Sequence, residues 1–268
     1  MGFRRHIRKE TLLERLSVHR KQGINSNALK TWGLVFAICG IIGRGVIQNG
    51  MLGISQLSAQ QLLDVLNASN EAMLLVTISL ALQAVETCAV PIFAFMLVEG
   101  VQHTSSFKKY FVRVFQLAVI TEIPYNLAMD GKFFDMGSRN PVFSLVLCMV
   151  MLYLYGRFAG KNFKNIVIKL AFFVATIVWC EMLKVEFGSA LVLVVAVLWT
   201  MRGTMYRQFV GAAAAIVCTV FSLFFVASPM GFMAVHFYNG EKSNNDRRLT
   251  YLSYPCILLM AAIAGFLL

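Results

Sequence analysis

Charge is what this chain has least of. Of its 268 residues, 14% are Asp, Glu, Lys or Arg, and only 13 are acidic. Soluble domains carry about 25% charged residues, so a globular surface facing water on all sides is excluded. Histidine is scarce too, with four in the chain. The six cysteines, Cys39, Cys88, Cys148, Cys180, Cys218 and Cys256, include no C-x-x-C pair and have no flanking histidine. That excludes the familiar zinc spacings, and no metal site is expected. Their places in apolar runs predict small packing side chains rather than disulfides. A Gly-rich phosphate loop and an internal repeat are likewise missing.

What is abundant is apolar. The chain is 58% hydrophobic with a mean hydropathy of +0.69. Its repeated apolar stretches of roughly 18–25 residues match a hydrocarbon core of ~30 Å at 1.5 Å rise per residue. This is an all-α, polytopic transmembrane helical bundle. The runs fall at 29–48, 73–99, 110–129, 141–157, 165–183, 186–201, 208–226, a short one at 229–238, and 250–268. They predict about nine spans (range 8–10), or eight if 229–238 is re-entrant. Residues 1–28 read as a basic cytoplasmic segment and 29–268 as one transmembrane domain. The first apolar run follows that basic segment and no small-residue cleavage site follows it, so it reads as a span and not a signal peptide.

Lys and Arg placement sets the orientation. Residues 1–30 hold eight basic residues and 49–72 none. Later basic turns carry Lys108, Lys109 and Arg113, then Arg157, Lys161 and Lys164, then Arg202 and Arg207, then Lys242, Arg247 and Arg248. With nine spans this places the N-terminus in the cytoplasm and the C-terminus outside. The net charge of +11 is thus mostly topology, and no nucleic-acid-binding face is visible. "RRHIRKETLLERLSVHRK" has two readings, an amphipathic segment on an anionic leaflet or a solvated orientation tag. Residues 55–69 predict a short interfacial helix on the outer side with Ser58 as N-cap. Asn67-Ala-Ser69 is a formal glycosylation sequon.

Ionisable residues inside spans are costly and point to function. Arg44 and Lys169 sit near span ends, where snorkelling accounts for them, the other reading of Arg44 being a buried polar residue like Glu86 and Asn140. Glu181, Lys184 and Glu186 read as a solvated external turn. Glu86 and Glu122 lie roughly 18–21 Å from the cytoplasmic ends of their spans, near mid-membrane. Asn126 shares a helical face with Glu122. These residues are read either as lining a polar cavity between the second and third spans or as making structural hydrogen bonds between helices. On the cavity reading, Glu122→Leu leaves folding intact or improves it while removing function. Glu99 and His103 are spaced i,i+4 at the cytoplasmic interface. They read as an oriented base, or as two separately hydrated side chains.

"PIFAFMLVEG", "HT", "KKY", "EIPYNLA", "NPVFSL", "EFG" and "YNGEK…YLSYP" occur in the order and spacing of TraX-family membrane proteins. The chain resembles that family over about 29–268, most strongly over 91–127. The family is typified by the F-plasmid pilin acetylase, an inner-membrane enzyme linked to conjugation and grouped with integral-membrane acyltransferases. The resemblance implies an acyltransferase-like fold in the bacterial plasma membrane, with acetyl-coenzyme A as donor. It implies a catalytic set of Glu99, His103, Glu122 and Asn126, with Asn140 and Tyr254-Pro255 also at motif positions. Lys108, Lys109 and Arg113 would meet the donor's phosphates.

The chain also departs from the family pattern. Gly40 and Ile41 stand where the first span's Asp-His motif is expected, Thr87 where an arginine is expected, and Cys256 or Ile257 where a histidine follows Tyr-Pro. Three functions follow. One is an enzyme moving acetyl to a membrane or extracytoplasmic acceptor. Another is a degenerate relative acting as a membrane partner or assembly subunit. The third is a small transporter using Glu86 and Glu122 to carry protons.

Overall fold

A computed structural model describes residues 23–135, 137–158, 160, 162–241 and 247–267. The basic segment through residue 22, Lys161 and Lys242 lie outside the described residues. Among the described residues the class is all-helical, with two isolated bridges, Ile24–Tyr238 and Arg139–Val185, and no strand.

The first helix, α1 (Ser26–Gly40), starts where the Asn25 side chain accepts from the Ala28 N–H at 2.9 Å. That contact satisfies one of the orphan donors of the first turn. The helix continues as a π-helical stretch, Ile41–Met51. Glycines let neighbouring helices approach this stretch closely. A Cβ on Gly45 would meet the Ala128 carbonyl oxygen at 2.8 Å. A 3-10 turn (Ile54–Gln56) then leads to α2 (Ala59–Ala68), where Ser58 and Gln61 form a full capping box. The predicted cap is therefore present.

The run expected as one span over 73–99 is two helices, α3 (Asn70–Glu86) and α4 (Ala89–His103). Pro91 explains the break. It has no N–H, and its ring crowds the carbonyl four residues earlier, that of Thr87. Thr87 Oγ1 instead donates toward Ala84 O at 2.7 Å and Phe224 O at 3.1 Å. Next come α5 (Phe107–Asp130), capped by Ser106, α6 (Val142–Arg157), α7 (Phe163–Met182) and α8 (Gly188–Thr200).

The run expected over 208–226 ends its α-helix early. Here α9 (Arg207–Val217) passes into a 3-10 turn (Cys218–Val220), and the chain returns through 3-10 residues Leu223–Met230 and α10 (Gly231–His236). Both ends of this hairpin lie together, with His236 Nδ1 3.1 Å from Gln208 Oε1. They also lie on the face of Ile24, whose N–H donates to Phe237 O at 2.8 Å. The returning 3-10 segment of the hairpin docks on the α3–α4 break, and Phe225 packs edge-on to Phe187 at the start of α8. The last helix, α11 (Arg247–Leu267), runs to the opposite face, where Gly265 lies beside Gly50.

Three helical stretches are long and apolar enough to cross a membrane by length and composition among the described residues: Ser26–Met51, Asn70–His103 and Phe163–Met182. The outer surface is apolar as well. Leu170 is 59% exposed, Met233 63% and Ile263 60%. Apolar side chains spread this widely over the outside need a solvent that is itself apolar. The interior core is built mainly by α4, α6 and α8, through residues such as Ile92, Val98, Met149, Leu152, Val192 and Leu198.

Candidate functional site

Four features stand out in and at the edge of this apolar bundle, three groups of polar side chains and a cavity. The first joins the π-helical stretch, α5 and the turn before α8. Arg44 pairs with Glu186 and donates Nη2–H to Tyr125 Oη at 2.7 Å, while Tyr125 donates its own O–H to Glu186. Arg44 thus points inward rather than snorkelling to the surface. Glu186 is likewise removed from solvent, its side chain only 11% exposed. Both corrections have one cause: each charge finds its opposite on another helix, which a bare count of residue depth does not reveal. Lys169 does reach outward, donating to Gly160 O at 3.3 Å.

The second group caps α5 from the following loop. Glu122 Oε1 pairs with Arg139 Nη1 at 2.8 Å, and Oε2 accepts from Asn140 Nδ2 at 2.6 Å and from the Asn140 N–H at 3.3 Å. Asn140 is fully buried, and its other contacts, to Ala118 O and from the Val142 N–H, complete its bonding. Asn126 is buried, and its Oδ1 has no hydrogen-bond partner.

The third group stands on the Ile24 face. Glu99 and His103 do meet: His103 Nδ1 lies 3.5 Å from Glu99 Oε2 and 3.0 Å from the Glu99 carbonyl oxygen. With Nδ1–H donating to that carbonyl, Nε2 keeps its lone pair. Glu99 has a second partner that the sequence did not announce, Arg207, at 2.7 Å through Oε1. Arg207 also lies over the Phe95 ring, and its Nη2 is buried without a hydrogen-bond partner. Lys108, Lys109 and Arg113 are exposed on the first turns of α5, on the same face.

The fourth is a cavity of about 190 Å³ between α1, the α3–α4 break, α5, α6, the start of α8 and α11. Its wall is mostly apolar, including Leu34, Phe93, Leu97, Val114 and Leu117. Lys30 and Tyr110 line one part and Glu86 and Tyr254 another. Tyr110 touches Gly100, between Glu99 and His103, so this part of the wall is continuous with the third group. Glu122 and Asn126 do not line the cavity, which corrects the expectation of a polar cavity shared by both carboxylates. The loop residues Arg139 and Asn140 bind Glu122 away from it.

Such a chain, all-helical in class among its described residues, apolar outside and with arginine–carboxylate pairs inside, is a membrane protein. It belongs to the TraX family: a family model described as TraX protein matches residues 57–264. No curated protein and no solved structure matches it. The departures from the family pattern now have a place. Gly40 stands where an aspartate is expected, and a Cβ built on it would lie 1.7 Å from Glu86 Oε2. The Glu86 carboxylate fills the space that a side chain at position 40 would take.

The bonding of Glu122 reverses the sign expected for its replacement. Glu122→Leu strands Arg139 and the buried Asn140 amide. It should destabilise the protein by about 1–3 kcal/mol, seen as a lower unfolding midpoint in detergent, because unmet buried donors carry that cost. An unchanged or raised midpoint would contradict this assignment.

Proposed function

We propose that this TraX-family membrane protein transfers an acetyl group from acetyl-coenzyme A to a membrane or extracytoplasmic acceptor. The observation that carries the reading is the cavity, whose wall runs from Tyr110, beside the Glu99–His103 pair, to Glu86 inside the bundle. In acyl transfer the acceptor's amine or hydroxyl loses a proton as it attacks the thioester carbonyl, and coenzyme A leaves as the thiol. A group that takes up the proton speeds this step. His103, with Nε2 free and its ring held by Glu99, suits that role at the mouth. Lys108, Lys109 and Arg113 suit the donor's phosphates. Gly40 and Ile41, where the family resemblance leads one to expect Asp-His, and Cys256 or Ile257, where it leads one to expect a histidine, favour a second reading, a membrane partner subunit without turnover.

Labelled acetyl-coenzyme A and the purified protein in detergent separate the two. An enzyme releases or transfers label, loses turnover with His103→Ala, and binds donor more weakly and with more salt sensitivity with Lys108→Ala/Lys109→Ala. A parent protein that binds no coenzyme A removes the enzyme reading.

We further propose a plasma-membrane bundle of nine crossings, an acyltransferase-like fold with a cytoplasmic N-terminus. The hairpin from Arg207 to His236 supplies the seventh and eighth. Its paired ends on the Ile24 face and the basic residues there support the orientation. A reporter fused after Leu268 should be active only outside the cytoplasm. Cytoplasmic activity would overturn the count.

A further inference from the structure

Among the described residues lining the cavity, Glu86 is the acidic one. It is 8% exposed, at the last turn of α3, where the helix breaks before Pro91. Its carboxylate occupies a notch in α1 that exists because residue 40 has no side chain. The other carboxylates inside the bundle have committed partners: Glu122 holds Arg139 and Asn140, and Glu186 holds Arg44 and Tyr125. Glu86 instead lines the mostly apolar cavity with the Tyr254 phenol, and Arg44 and Glu186 lie near enough to act on its charge without a hydrogen bond or ion pair to it. A buried carboxyl is costly unless hydrogen-bonded, and a hydroxyl or amine brought in by a ligand meets that need.

The volume sets the ligand's size. A cavity of about 150 Å³ takes a benzene ring, so about 190 Å³ takes an apolar group of roughly eight carbons. Charged or strongly hydrated ligands are disfavoured by walls such as Leu34, Phe93 and Leu117.

We propose that the cavity binds a short apolar chain ending in a hydroxyl or amine, and that Glu86 receives that polar tip. The site goes beyond the acyl-transfer reading and stands without it, since it makes a claim about binding and not about turnover. Within that reading, the tip is the nucleophile of the acceptor.

The test uses the whole protein in detergent with diisopropylcarbodiimide, an apolar carboxyl reagent whose seven carbons and two nitrogens match the size of the cavity. Its nitrogen takes the carboxyl proton and its central carbon bonds the carboxyl oxygen, and the product rearranges to a stable N-acylurea read by peptide mass spectrometry. The adduct is expected on the Glu86 peptide, ahead of the Glu122 and Glu186 peptides, and lost in Glu86→Gln. Octanol should suppress it about tenfold at ten times its dissociation constant, and octane, which lacks the tip, distinctly less. No adduct on Glu86, no protection by octanol, or equal protection by octane would each overturn the proposal. A protein that gives the protected adduct but never handles acetyl-coenzyme A would lose the enzyme reading and keep this site.

Discussion

The contact between Arg44, Tyr125 and Glu186 is what the other features of the bundle depend on. A guanidinium in a hydrocarbon environment must be paired internally or carried to the surface. Here it is paired internally, with a phenol that accepts from Arg44 and donates to Glu186 in the same contact. The arrangement ties the π-helical continuation of α1 to α5 and to the turn before α8, three segments far apart in the sequence. The same turn is held by backbone bonds between Arg139 and its neighbours Lys184 and Glu186, at 2.9 and 3.0 Å. That positions Arg139 for Glu122. One ion pair thus fixes the loop that supplies the next.

Pairing sorts the acidic residues by what they can still do. Glu122 and Glu186 are engaged with arginines, and their replacement disturbs folding before chemistry. Glu99 divides its two oxygens between Arg207 and His103, so both of them are engaged. Glu86, lodged in the Gly40 notch, faces the cavity. The family's motif residues therefore split into a structural set, Glu122 with Asn140, and a set at the Ile24 face, Glu99 with His103.

Much of the fold was legible in the sequence because apolar runs and caps are local signals. Hydrophobic length marked the helices, and Ser58 announced the start of α2. The break at Thr87 was present in the sequence as Pro91, but the apolar run continues through it, and hydropathy does not register a missing N–H. The site was less legible. Glu99 and His103 meet because four residues make nearly one turn, whereas Glu99 and Arg207 are 108 residues apart and no spacing rule joins them. Arg44 was misplaced for the same reason: depth can be counted along one helix, but the identity of the facing helix cannot.

Replacing the buried pair singly and together tests the central claim that internal pairing of Arg44 organises the bundle. Arg44→Met and Glu186→Leu each leave one part-buried charge unmatched; a single loss from a fully buried pair costs about 3–5 kcal/mol, an upper bound here, while replacing both partners is often near neutral. The account predicts a large drop in the detergent unfolding midpoint for each single variant and recovery of most of it in the double variant. Single losses that simply add in the double variant would contradict it.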